Sequence, residues 1–245
     1  MSRPSKILDP LLQKLELMGT LDVEDRKAVL ALPARVVRFR ALEYVVREKD
    51  RAQNCCVLLD GFAVRHKMTG DGGRQIFSIN MRGDLADLQN SFLHIADHHL
   101  QALTDLEVAL IPVSAMVDLA FSRPAIGRAM WSETLIEASI FREWTLNVGR
   151  RDGRTRMAHM LCEFALRLEL AGLSARDHYV LPMSQEQLAD ALGLTSVHVN
   201  RTLKSLAEDG LVTRTRRSIK IEDWAGLAAQ GDFDSAYLHL GLAEA

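Results

Sequence analysis

The stretch SQEQLADALGLTSVHVNRTLKSLAEDGLV, residues 184–212, leaves its backbone fewer choices than any other part of the chain. Ser184 with Gln187 three residues on makes a capping box, so a helix starts there. Leu188 and Leu192 fall one turn apart on its buried side, and Ala189 is small where a second helix must approach. Gly193 permits a turn conformation that other side chains resist. Thr195 caps a second helix whose Val199, Leu203 and Leu206 face inward, and Gly210 ends it. A small residue, a glycine four later and a β-branched residue six after that, with leucines between, is helix-turn-helix spacing.

The opposite face of the second helix carries Val197, Asn200, Arg201 and Lys204 at i, i+3, i+4 and i+7. Side chains so placed can reach base edges in a DNA major groove, with Asn200 and Arg201 as the leading base-readers. The plainer alternatives are that Asn200 only solvates the helix and that Arg201 only touches phosphate. LVTRTRRSIKI, from Leu211, reads as a two-stranded wing whose Arg214, Arg216 and Arg217 suit phosphates. Ser184, Gln185, Thr195, Ser196 and His198, around the two helix starts, complete the candidate DNA contacts. Across 195–220 six basic residues stand against Glu208 and Asp209, a basic segment in a chain of net charge −2.

Residues 9–31 read as two short helices, Asp9 capping the first ahead of Pro10 and Asp22 the second. From Pro33 to Pro112 the runs are short and strand-like, among them RVVRF, EYVV and CCVLLDG, which suggests an antiparallel barrel or sandwich. Phe62, Val64, His66 and Met68 alternate with Ala63, Arg65 and Lys67, predicting one mainly apolar and one mainly polar face. After the turn Thr69–Gly73, Phe77, Ile79 and Met81 share a face. Residues 125–148 form a long helix whose Ile126, Met130, Leu135, Ile140, Phe141 and Trp144 spread over more than one face. Such a helix needs two partners: its own barrel and, most simply, a copy of itself. GRRDGR at 149–154 reads as a hinge, with Asp152 capping a helix striped by Met157, Met160, Leu161, Phe164 and Leu168 and ended by Gly172.

Hydrophobic residues at 48% and charged residues at 25% are the balance of a globular protein. No apolar run approaches the ~18 residues of a membrane span, and MSRPSKILDP lacks a signal peptide's apolar core, which together point to the cytoplasm. Three cysteines without paired spacing argue against a disulfide framework. Cys55 and Cys56, adjacent in a strand, face opposite ways, one as core filler and one as a surface thiol. His94 and His98 would share a helix face, and with Asp97 and His99 they form either a metal or haem site or a solvated polar loop. No HExxH, P-loop, dinucleotide glycine fingerprint or nucleophile motif marks an enzyme, and no cofactor is expected.

The order of barrel, long helix, hinge and winged helix-turn-helix resembles the cyclic AMP receptor protein and fumarate–nitrate regulator (Crp/Fnr) superfamily of bacterial transcription factors. The resemblance runs from Leu8 to Leu240 and is most specific over 184–212. It implies an α+β fold: an N-terminal antiparallel β-roll of the cyclic-nucleotide-binding jelly-roll type over 1–123, a dimerisation helix over 124–149, and a winged helix-turn-helix domain over 150–245. It implies a homodimer on double-stranded DNA with an inverted-repeat operator, RNA polymerase as a further partner, and room for a small-molecule effector. The alternative is a sensor whose small molecule, metal or haem in the roll controls DNA binding.

Departures from the family pattern narrow the effector. Cyclic-nucleotide binders of this family follow a Gly-Asp turn with a Gly-Glu pair for the ribose and an Arg-Ser or Arg-Thr pair for the phosphate. Here Gly83-Asp84 continues as Leu85-Ala86-Asp87-Leu88-Gln89, and no arginine or lysine occurs between Gly83 and Pro112. Gly83, Asp84, Asp87 and Thr104 are left as the effector-pocket candidates, with Arg65, Arg74 or an arginine of a second chain's long helix as cations that could reach in. A phosphate without a cation or an amide cradle would be poorly compensated, so the usual nucleotide site is expected to be absent. An iron–sulfur cluster needs four thiolates, and there are three cysteines. On the recognition helix the family often has a glutamate four residues before an arginine. Here those positions are Val197 and Arg201, which implies a different operator, with apolar contact to a thymine methyl.

Overall fold

The computed structural model describes residues 6–240 as two compact units, one gathering the residues up to His66 with Ile79–Ser139, the other Lys67–Ser78 with Ile140–Leu238. The ends of the expected segments, residues 1–5 and 241–245, lie outside the described residues.

The first unit opens with a 3-10 turn, Lys6–Leu8, and helices α1 (Asp9–Met18) and α2 (Val23–Leu30). Asp22 caps α2 as its position suggests, accepting from the Asp25 N–H at 2.8 Å while Asp25 accepts in return. Asp9 is not a cap. The 3-10 turn already leads into the helix, so Leu8 holds the cap position and Asp9 is the first helical residue.

Seven strands follow: β1 (Arg35–Phe39), β2 (Tyr44–Val46), β3 (Asn54–Asp60), β4 (Ala63–Met68), β5 (Arg74–Asn80), β6 (His99–Ala102) and β7 (Leu106–Pro112), with the short helix α3 (Asn90–Leu93) before β6. They make two sheets, β1-β7-β3 and β2-β6-β4-β5. Antiparallel β7 is central in the first, setting Ala109 opposite both Val36 and Val57. Then come α4 (Val113–Ser122) and the long helix α5 (Pro124–Arg150), within which the two units divide.

Two apolar clusters fill this unit. One lies between the sheet face carrying Cys55, Val57, Ala109 and Ile111 and the helices bearing Leu11, Leu15, Val29, Met116 and Ile126. The other lies inside the roll around Cys56, Leu58, Ala63, Leu100, Ala102 and Val108. Cys55 and Cys56 do face opposite ways, but both are buried, because β3 is covered on both faces. The expected surface thiol is absent, and burial pushes the Cys55 thiol up to about 12.

β4 also departs from its pattern. Ala63, Val64, Arg65 and His66 are all buried, and only Lys67 and Met68 at the strand's end are exposed. Arg65, 1% exposed, reaches Glu137 on α5. A strand covered on both faces loses its alternation, and Glu137 supplies the buried arginine's counter-charge. The histidines differ too. α3 ends at Leu93, and His94 leaves it at φ +61°, so His94 and His98 share no helix face. His94 and Asp97 are exposed, as in a solvated loop, but His98 is buried with Nδ1 2.7 Å from Asp97, and His99 stacks on His66 at 5.0 Å.

In the second unit Asp152 caps α6 (Gly153–Leu170), accepting from the Arg154 and Thr155 N–H groups at 2.9 Å. Those bonds hold its carboxyl below the usual carboxylate range. The predicted stripe on α6 is buried, and so are Ala158, His159, Cys162, Glu163 and Ala165. Three more strands, β8 (His178–Val180), β9 (Val212–Thr215) and β10 (Ser218–Ile221), form a sheet in the order β8-β10-β9. Helices α7 (Gln185–Leu192), α8 (Ser196–Glu208) and α9 (Trp224–Gln230) surround it, before a 3-10 turn at Ser235–Leu238. A buried polar network ties α6 to the residues after α9. His159 bonds the Gly231 carbonyl and the Tyr237 hydroxyl, each at 3.1 Å, and Tyr237 donates to Glu163, which also accepts from Trp144. No helix among the described residues is long and apolar enough to cross a membrane.

Candidate nucleic-acid interface

The helix-turn-helix forms through local bonds. Ser184 Oγ accepts from the Gln187 N–H at 3.2 Å, and Gln187 Oε1 accepts from the Ser184 N–H at 2.8 Å, closing the capping box of α7. Gly193 ends α7 in the left-handed conformation (φ +62°, ψ +42°), and the Leu194 N–H returns to the Ala189 carbonyl at 3.0 Å. Thr195 Oγ1 accepts from the His198 N–H at 3.2 Å and starts α8 one residue later.

α8 buries Val199, Thr202, Leu203 and Leu206 and exposes Asn200, Arg201 and Lys204. Val197 is 80% exposed, on the same face as these three. Lys204 lies 3.5 Å from Glu208, one turn further on. Ser184 and Thr195 spend their hydroxyls on caps, with Gln185 and Ser196 opening the two helices. His198 stands apart from the exposed face. Its ring packs against Gly153, where a Cβ would come within 2.9 Å of Nε2, so it seats α8 on α6.

The wing is the hairpin β9–β10. Arg216 turns it at φ +50°, and its carbonyl accepts from Arg214 Nε at 3.2 Å. Arg216 and Arg217 are exposed, Arg214 half-buried. The Arg217 carbonyl accepts from the Leu181 N–H at 2.7 Å, which fastens the wing to the segment before α7.

Beyond the expected hinge, Arg154 at the end of GRRDGR and Arg156 two residues further on brace the motif. Arg156 donates to the Leu192 carbonyl at 2.8 Å and to the Gly193 carbonyl at 3.4 Å, under the turn. Arg154 bonds Ser205 and Asp209 on the flank of α8 and Gln230 Oε1 on α9 at 3.0 Å. Arg74, a candidate cation for the roll, instead pairs with Asp190 on α7 at 2.6 Å.

The effector-pocket candidates are taken up by the fold. Gly83, at φ +92°, donates to the Leu58 carbonyl at 2.8 Å, and a Cβ there would meet the Pro10 carbonyl at 3.0 Å. Asp84 accepts from the Met81 N–H and pairs with Lys14, both at 3.0 Å. Thr104 lies at a separate turn, accepting from the Phe62 N–H at 3.0 Å. Asp87, 1% exposed, accepts from the Cys56 N–H at 2.7 Å. Burial raises its carboxyl to about 7 against the pull of that N–H and of Arg65. Folded Asp87 therefore keeps its proton between about pH 4 and 7 while the unfolded chain releases it, so its contribution to stability is full below pH 4 and is lost as pH rises through 7. Asp87→Asn is expected to gain relative to wild type as pH rises from 5 to 7, by about 2 kcal/mol, and to level off above. Denaturant titrations at four pH values read that slope; parallel curves for both proteins would contradict it.

Comparison with known proteins fits this geometry. Residues 155–230 match the Crp-like helix-turn-helix domain family, and residues 36–123 match the cyclic nucleotide-binding domain family. The nitrogen fixation regulation protein FixK of Bradyrhizobium diazoefficiens is 30% identical over 196 residues, 80% of this chain and 81% of that one. The transcriptional activator protein FnrL of Cereibacter sphaeroides is 26% identical over 201 residues, 80% of each chain. The solved structure of FixK2 from Bradyrhizobium japonicum superposes with a TM-score of 0.75 at 26% identity, covering 81% of this chain and 98% of that one. With both domains matched in order, and with that identity to FixK over four-fifths of each chain, this chain belongs to the Crp/Fnr family of transcription regulators.

Proposed function

We propose that this chain is a cytoplasmic, dimeric regulator that reads an inverted-repeat operator through α8 and controls transcription with RNA polymerase, using neither the usual cyclic-nucleotide site nor an iron–sulfur cluster. The carrying observation is the exposed face of α8, where Val197, Asn200, Arg201 and Lys204 project with their flanks packed away. Asn200 and Arg201 supply the hydrogen bonds to bases, Val197 apolar contact, and Lys204, Arg216 and Arg217 the phosphate contacts. Residues 124–149 act as the dimerisation helix. On α5 the exposed residues Arg128, Trp131 and Leu135, and again Arg142, Thr145 and Gly149, recur at three- and four-residue steps, the two sets seven residues apart, as along a coiled-coil seam.

What supports a roll without cyclic nucleotide is its charge. The Gly83–Asp87 turn that would face the phosphate carries two buried carboxylates, and the arginine nearest them is engaged by Glu137. Calorimetric titration with cyclic AMP and cyclic GMP, alongside anisotropy on operator DNA, tests the reading. No heat of binding and unchanged operator affinity are expected. One micromolar site per subunit that raises operator affinity in parallel would overturn it.

A further inference from the structure

Three carboxylates and two cations in the first unit are arranged as two rungs. Lys14 of α1 lies 3.0 Å from Asp84 and 3.3 Å from Glu133. Arg65 of β4 pairs through Nη2 with Glu137. Glu133 and Glu137 are one helical turn apart on α5, and Asp84 and Asp87 are three residues apart in the turn after β5. One rung runs from Asp84 through Lys14 to Glu133, and the other from Arg65 of β4 to Glu137. Arg65, Asp84 and Asp87 are buried, and Lys14 and Glu133 are largely covered. With little water present, each charge depends on its protein partner, and removing one partner leaves another buried and uncompensated. Carboxylates outnumber the cations, so an incoming anion meets no surplus positive charge.

We propose that Glu133 and Glu137 are built-in ligands of the roll: they occupy its cations as an effector anion would, fix α5 on the sheet, and so let the protein bind its operator with nothing added. The proposal rests on the reading that paired α5 helices set up DNA binding, and it adds that this state is maintained from within the chain.

The test compares wild type with Glu137→Ala and Glu137→Gln in three measurements: sedimentation for assembly, anisotropy for operator affinity, and hydrogen exchange along α5. Extensively dialysed wild type is expected to bind operator, with affinity unmoved by cyclic nucleotides. Glu137→Ala is expected to bind about tenfold or more weakly and to lose protection in α5. Because the Glu137 side chain is 25% exposed, formate can reach the vacated place, and millimolar formate is expected to restore affinity and protection in Glu137→Ala while leaving wild type unchanged. The isosteric Glu137→Gln keeps the fold's volume without the charge, so it is expected to lose affinity without gross unfolding. Dialysed wild type that needs an added small molecule would overturn the proposal, as would Glu137 variants, dimeric and folded, that bind and exchange like wild type. Monomeric wild type on DNA would instead overturn the dimer reading beneath it.

Discussion

Trp131→Glu with Leu135→Glu is expected to leave a monomer that binds operator at least about a hundredfold more weakly than wild type. Trp131 and Leu135 are 71% and 56% exposed in the single chain, although both are large and apolar. They lie on the exposed stripe of α5, opposite the face that buries Ile126, Ala129, Met130 and Ile136 in the first unit. Around a two-fold axis, two glutamates per chain place four carboxylates where four apolar side chains would pack, adding repulsion to lost burial. A regulator reduced to one half-site loses the gain from linking two binding events. Sedimentation velocity at micromolar concentration reports the assembly and anisotropy the binding. A double variant that stays dimeric would show that α5 is not the seam.

Arg201→Ala is expected to remove roughly 1–3 kcal/mol at each half-site and to relax base preference at one symmetric position. Arg201 lies on the exposed face of α8, and the expectation rests on its guanidinium forking onto a guanine edge. Arg217→Ala, on the wing, is expected to weaken binding to all sequences alike and to flatten the dependence on salt. The two outcomes separate reading from holding. An Arg201→Ala protein that selects the same motif with the same stringency would reassign the residue to phosphate.

The parts of the fold legible in the sequence are those set by short-range bonds. The Ser184–Gln187 box, the Gly193 turn and the Thr195 cap each close within four residues, so their signal survives without knowledge of the rest. Asp22 and Asp152 were readable for the same reason. β4 was not, because what covers Arg65 is Glu137, more than seventy residues downstream on α5. The thiol expected at the surface failed likewise: β3 alternates as drawn, but helices cover one face and the roll interior the other. β8 went unread because three residues carry too little pattern and their strand partner is β10, forty residues away. His198 looked like a DNA contact from its place at the start of α8, and only Gly153 beneath its ring shows its packing role.

Selection of duplexes from a random pool by the purified protein, with no nucleotide added, tests the central claim most directly. The account predicts an inverted repeat with half-sites about one turn, roughly 34 Å, apart, bound by a dimer and lost with the Trp131→Glu, Leu135→Glu variant. No enriched motif, or a single asymmetric site bound by a monomer, would contradict it.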